Sequence, residues 1–285
     1  MKTLQELADE GILFKDHESE LIKQQIVSTI KDAAQKKNVG RGLVHVIPLR
    51  EGSTLDWDKA DKDSLLVRKI GEGANSRLTH ESYTKIQSTP EKYGGTVKIT
   101  QEMIEDSNFP LIDRQLKQAG REMAKTEDTI IFNSWADATT GFPSNADNAF
   151  NSNGTELGII DVTNAMQVIE DADYEPSNYV INPKQINELR QIDTFVEADK
   201  VGDRRTFQNG FVGKIFGIDA VKSTILAADT AYVIDKEEAG MLVIRRPLTI
   251  TKFNDPIQDL VGASFTQRMS ARTIESTAGV KVTVQ

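Results

Sequence analysis

The stretch YGGTVKITQEMIEDSNFPLIDRQLKQAGREMAKTEDTIIFNS, residues 93–134, decides how the rest of the chain is read. It opens on Gly94-Gly95, which reads as a turn, and passes into TVKIT, whose alternation of apolar and polar residues is that of a half-buried strand. The acidic run QEMIEDS follows. Pro110 suits a first helical turn, where its missing N–H costs nothing, and it stands behind the capping candidates Ser107 and Asn108. From there Ile112, Leu116, Ala119, Met123, Ala124, Ile130 and Ile131 recur at helical spacing, so one helix with a single buried stripe is predicted over 110–138. Such a helix is ~40 Å long, enough to cross a domain.

Upstream, Ile22, Ile26, Val27, Ile30, Ala33 and Ala34 fall on one face of a helix predicted over 18–37, with Asp16 as its N-cap. Lys36 and Lys37 suit its negative end, and Gly40 and Gly42 release the chain into a short strand over 43–49. Between residues 51 and 84 the character changes. TLDWDKADKDS is polar, LLVRKI is a brief strand, GEGANSR is a turn and LTHESYTKI is extended again. Too little of this is apolar to build a core, so it reads as a two-stranded excursion; an isolated hairpin is marginal in water, and such an arm needs a neighbour to lie on.

Downstream, the Asn- and Gly-rich stretch 140–154 reads as a loop. An amphipathic helix follows (Val162, Ala165, Met166, Ile169), then a strand (Tyr179, Val180, Ile181) and a helix opened by Asn182-Pro183. VEADKVGDRRTFQNG is polar and turn-rich. FVGKIFGIDAVKS, TAYVID, GMLVIRRPLTITKF, LVGASFTQRMSARTIE and VKVTV supply strands to the end. The pattern belongs to the α+β class.

Composition narrows the function. Apolar residues are 38% of the 285, enough for a real core, and 43 acids against 34 bases leave a formal net charge of -9. Diffuse attachment to phosphate backbones is therefore not the design, and a nucleic acid partner would be contained rather than gripped. With zero cysteines there is no disulfide, thiolate or sulfur-ligated zinc. The first twenty residues carry charges where a signal peptide would be apolar, and no run reaches the ~20 apolar residues of a membrane span, so no membrane partner is expected.

A search for chemistry finds no constellation. The three histidines, His17, His45 and His80, have no triad or metal spacing. Asp56, Asp58, Asp61 and Asp63 begin like a calcium loop, but Ala60 stands where a ligand should be and Asp61 where glycine is required, so a solvated loop is expected. Gly71-x-Gly73 lacks the third glycine and the helix of a dinucleotide site. Asn153-Gly154-Thr155 is a sequon in a chain without an export signal. The pairs Glu105-Asp106 and Glu127-Asp128 flank or occupy the long helix, where salt bridges are the common outcome. No catalytic, cofactor-binding or metal residue is assigned.

Three segments carry a resemblance. Residues 93–134, with Thr100, Glu102 and Glu105-Asp106 before the helix and Glu127-Asp128 and Ile131-Phe132 near its end, resemble the peripheral strand, acidic turn and spine helix of HK97-fold major capsid proteins of tailed viruses, from bacteriophages or archaeal viruses. NYVINPKQINELRQI, residues 178–192, is similar to the axial-domain strand and helix of that family, and GFVGKIFGIDAVKS, residues 210–223, to its glycine-hydrophobe-glycine strand. The resemblance covers essentially the whole chain in the right order. It implies an N-terminal arm over 1–42, a peripheral-domain strand over 43–50, an extended loop over 51–85, the peripheral domain with its spine helix over 86–140, an axial domain over 141–245 and return strands over 246–285.

The implied function is a structural subunit, not an enzyme, that self-assembles as hexamers and pentamers into an icosahedral shell around viral double-stranded DNA. It would be located in the virion after assembly in the host cytoplasm. Portal, scaffold and decoration proteins are further candidate partners, and contact with the DNA would not be sequence-specific. Candidate contacts between subunits are Lys69, Glu72, Asn75 and Arg77 of the loop, the Ile22, Ile26 and Ile30 face of the first helix, and Arg121 of the spine. Lys69 also stands where some capsids of this fold form an isopeptide crosslink to an asparagine of another subunit, although a solvated arm lysine is the simpler reading. Two alternatives remain: an encapsulin, the cellular shell of the same fold, and a metal-assisted hydrolase using the acidic pairs.

Overall fold

The computed structural model describes residues 38–60, 69, 70, 72, 82–100, 111–143, 159–191, 211–215, 217–255, 257, 258 and 260–283. The predicted helix over 18–37, the Pro110 start of the long helix and the polar run 196–210 lie outside them, as do most of LLVRKI and GEGANSR. The architecture is α+β. A 3-10 turn, Gly40–Leu43, leads to β1 (His45–Pro48); β2 (Leu55–Ala60), β3 (Tyr83–Ser88) and β4 (Glu91–Thr100) precede the long helix α1 (Leu111–Ala136). Then come α2 (Ile159–Asp171), β5 (Asn178–Ile181), α3 (Pro183–Gln191), β6 (Phe211–Ile215), β7 (Ile218–Lys222), β8 (Thr230–Ile234), β9 (Gly240–Asp255), β10 (Leu260–Thr273) and β11 (Gly279–Thr283).

Two sheets organise the body. One has strand order β1-β9-β10-β4, with α1 packed on its β4 and β10 side; the other has order β11-β8-β5-β7-β6, with α2 against β11 and β8. β9 runs unbroken through residues 245–246, carrying β1 alongside its first half and β10 along nearly its whole length. The short second sheet is buried on both faces, and the two-residue period sorts its side chains between two cores. Tyr179, Ile181, Ala231 and Val233 join Val162 and Ile169 of α2. Val180, Tyr232 and Ile234 turn the other way, toward Ile131, Phe132 and Trp135 of α1 and Leu242 and Met269 of the long strands. Continuous apolar runs such as TAYVI are what burial on both faces requires.

Several local choices follow from side-chain chemistry. Asn182 caps α3: its Oδ1 accepts the Lys184 amide at 2.9 Å, and Gln185 Oε1 accepts the Asn182 amide at 3.2 Å, a reciprocal capping box with Pro183 at the first helical position. The turn expected at Gly94-Gly95 is instead the interior of β4. A Cβ at Gly94 would lie 2.4 Å from the Phe265 carbonyl oxygen, and one at Gly95 2.6 Å from the Phe265 ring. These glycines serve close approach of β10, not reversal of the chain. β6 and β7 likewise pair antiparallel as two strands rather than one, with Gly217 at φ of 88° just before β7.

TLDWDKADKDS also departs from the expected solvated loop. Its first half is β2, paired antiparallel with β3 in a ribbon that joins neither large sheet. Asp56 and Asp58 project from one face of the ribbon, where Lys85 pairs with Asp56 at 2.7 Å and holds its carboxyl below the usual range. Leu55 and Trp57 project from the other, Trp57 opposite Ile86.

Candidate functional site

The sequence-derived contact residues are not gathered into one place. Lys69 and Glu72 are exposed, Arg121 is exposed midway along α1, and Asn75, Arg77, Ile22, Ile26 and Ile30 lie outside the described residues. His45 is exposed on β1. Among the described residues, no group of three or more His, Cys, Asp or Glu side chains is arranged to hold a metal, and no helix is long and apolar enough to cross a membrane. The groove between β4 and α1, lined by Thr96, Val97, Lys98, Gln115, Glu122 and Phe265, converges no histidine or serine on its single carboxylate.

A polar site does exist where the buried stripe of α1 meets the chain leaving the N-terminal segment. Along α1 the buried positions run Ala119, Met123, Ala124, Glu127, Asp128, Ile131, Phe132 and Trp135, so an acidic pair occupies core positions. Glu127, 3% exposed, takes a bidentate contact from Arg41, Nε to Oε1 at 2.7 Å and an Nη to Oε2 at 2.6 Å. Asn38 Nδ2 donates to Oε1 at 2.5 Å and Gln267 Nε2 of β10 to Oε2 at 3.2 Å. Asp128, 2% exposed, accepts the backbone amides of Val39 at 3.1 Å and Gly40 at 2.7 Å. A Cβ on Gly40 would meet both the Asp128 carboxylate and the Ile131 side chain at 2.9 Å, so the turn lies directly on the helix.

This is an anchor rather than a reaction centre. Its carboxylates are consumed by fixed donors, and it ties residues 38–41 to the spine and, through Gln267, to the sheet. The salt bridge expected of Glu127 is present, to Arg41, but the pair is buried, as its register with Met123 and Ile131 on the inner stripe signals. A second tie is the Lys59–Glu275 ion pair, which holds β2 of the ribbon to the corner after β10, while the Ser88 and Ser270 hydroxyls share a 2.7 Å hydrogen bond at the ribbon's base. Burial pushes the Glu275 carboxyl up, but the Lys59 ammonium and the Thr277 donors together outweigh this and hold it below its ordinary value.

The anchor has a pH signature. Burial pushes Asp128 up to about 6 and the Glu127 charge adds to the rise, against the Val39 and Gly40 amides and Arg41. Between pH ~4 and ~6 the folded chain therefore keeps a proton that the unfolded chain releases, so this contribution to stability is greatest below that window and declines as pH rises through it. Asp128→Asn cannot titrate. Its denaturant midpoint should show less decline than wild type between pH ~4 and ~6; identical pH slopes for the two proteins would refute the assignment.

Comparison with known proteins places this geometry. Residues 83–282 match a family model described as phage capsid protein. No curated protein matches the chain. Among solved structures it is similar to a virus-like particle from Pyrococcus furiosus (TM-score 0.64, 13% identity, 91% of this chain and 98% of that one). It is also similar to the capsid of the cyanophage P-SCSP1u (TM-score 0.67, 15% identity, 87% and 88%) and to Mycobacterium phage Che8 (TM-score 0.66, 14% identity, 86% and 90%).

Proposed function

Because the chain belongs to the phage capsid protein family and is a structural major capsid subunit of HK97-like fold, we propose that its copies close, as hexamers and pentamers, into an icosahedral shell around double-stranded DNA. The observation that carries this reading is the family match over 83–282, which takes in β3, α1, the second sheet and every strand of the first sheet except β1. The division into arm (1–42), extended loop (51–85), peripheral domain (43–50, 86–140 and 246–285) and axial domain (141–245) belongs to the same proposal. In it the ribbon lies over an adjacent subunit, and DNA is held by enclosure without sequence-specific contact. Portal, scaffold and decoration proteins complete the particle, which assembles in the host cytoplasm and catalyses no reaction. The ribbon's separation from both sheets and the net charge of -9 support these points.

The test is negative-stain imaging of the purified protein, with uniform hollow particles expected and a small discrete oligomer refuting the reading. Arg121→Glu sharpens it. Arg121 is exposed on α1, so the unassembled subunit should melt like wild type while particle yield falls, because a weak contact repeated at every interface multiplies. A loss of melting temperature matching the loss of yield would show that Arg121 serves the fold instead.

The likeness to the Pyrococcus furiosus particle supports a second reading, a shell of the same fold that encloses protein cargo in place of a genome. Contents decide between them: nuclease-protected DNA in particles from the native source supports the first, a co-purifying enzyme the second.

A further inference from the structure

Three cations stand side by side on the outer face of the four-stranded sheet. Phe265, Gln267 and Met269 of β10 are buried on its core side, so the intervening Ser264, Thr266, Arg268 and Ser270 face the other way. The register sets Lys92 of β4 opposite Arg268 on one side and Arg246 of β9 opposite it on the other. Arg246 donates to the Thr266 hydroxyl at 2.9 Å, which fixes it on this outer face although the β9–β10 pairing is irregular there. With strands ~4.8 Å apart, the three residues fall in a row ~10 Å across.

The row lacks its counter-charge. Among the described residues no carboxylate pairs with Lys92, Arg246 or Arg268. Arg268 spends one donor on the Pro90 carbonyl at 3.2 Å, and Arg246 Nε is buried without a hydrogen-bond partner. The neighbouring side chains Thr96, Ser264 and Thr266 are hydroxyls. Like charges directly opposite one another destabilise a sheet. A chain with 43 acids and 34 bases has carboxylates to spare, yet sets none here.

We infer that this row receives the carboxylates of residues 51–60 of a second copy, a charged seat that deepens the shell reading above and rests on it. That segment carries Glu51, Asp56 and Asp58 against Lys59. Lys59 is already committed to Glu275 and Lys85 to Asp56, so Asp58, exposed on the same face as Asp56 and opposite Lys85, shares that ammonium only at longer range. A phosphate polymer fits less well. It would have to approach a chain of net charge -9, whereas a ribbon belonging to the same assembly arrives at high effective concentration.

Lys92 is the residue to test, being exposed at the end of the row. In Lys92→Gln a like-charge opposition is relieved, so the unassembled subunit should melt at or above the wild-type temperature. The critical concentration for particle formation should nevertheless rise roughly fivefold. Added salt should weaken wild-type assembly more than that of the variant. Lys92→Glu and Asp58→Lys should each lower particle yield, and the two together should restore it. Wild-type assembly by Lys92→Gln, or a double exchange that fails to recover although both single variants fold, overturns the seat alone. Normal particles that have lost retention of double-stranded DNA overturn it in favour of a phosphate ligand. Absence of wild-type particles under every condition overturns the shell reading and the seat with it.

Discussion

Replacing Trp135 with alanine should lower the stability of the unassembled subunit by ~4 kcal/mol, the upper range for deleting a large buried aromatic. Trp135 is fully buried near the end of α1, in contact with Phe132, Phe142 and Tyr232 at ring separations of 5.3, 5.5 and 5.6 Å. Those partners come from the helix, the segment after it and the second sheet, while Leu242 and Met269 of the first sheet join the same cluster. The indole is thus the junction at which both sheets meet the spine. Its Nε1 is buried without a hydrogen-bond partner, and a Cβ on Gly240 would lie 3.3 Å from it, so the backbone there is kept bare to admit the ring. An unmet N–H costs ~1 to 3 kcal/mol, and Trp135→Phe removes it while keeping most of the ring contacts. The phenylalanine variant should therefore fall within ~1.5 kcal/mol of wild type. Urea melts of both variants below the assembly concentration measure this; an alanine variant as stable as the phenylalanine one would show that the cluster does not hold the sheets together.

That junction was partly legible in the sequence. Helical spacing of Ala119, Met123, Ala124 and Ile131 placed α1 and its inner stripe, because a core writes its periodicity into the chain that lines it. The runs Tyr179–Val180–Ile181 and TAYVI read as strands from their apolar, β-branched content. The glycines of β4 did not, since Gly94 and Gly95 are explained only by Phe265, a residue distant in sequence that the fold brings against them. Asp and Lys in β2 hid a strand whose partner, Tyr83–Ser88, lies beyond a long intervening segment. Alternation is present there, with Leu55 and Trp57 set against Asp56 and Asp58, but the low strand propensity of Asp and Lys masks it. Contact surfaces were least legible of all. Complementarity between copies imposes no period on either, so Lys92, Arg246 and Arg268 form a row only once the register is known.

The anchor at Glu127 gives the other large effect, and its two ends should respond unequally. The Glu127 side chain is 4% accessible while that of Arg41 is 42% accessible, so removing the cation strands a buried charge, whereas removing the anion frees a cation that water can reach. Arg41→Ala should cost ~3 kcal/mol, the lower range for orphaning one partner of a buried pair, moderated by the Asn38 and Gln267 donors that remain. Glu127→Gln keeps the volume and retains an acceptor for Arg41, so ~1 kcal/mol is expected. In the double variant the buried charge is absent before the arginine is removed. The double variant should therefore be more stable than Arg41→Ala alone, with a coupling of ~1 to 2 kcal/mol in the cycle. Additive costs would mean that Glu127 carries no uncompensated charge once Arg41 is gone, and that Asn38 and Gln267 suffice. The readout beyond stability is local: amide exchange at Val39 and Gly40, whose N–H groups sit on Asp128, should accelerate in Arg41→Ala by more than the general rise that the lost stability gives Val180 and Val233 in the second sheet. Release at 38–41 in excess of that general rise is the behaviour of an anchor that holds the chain entering the body to the spine, and equal acceleration throughout would show instead that the pair serves only the global fold.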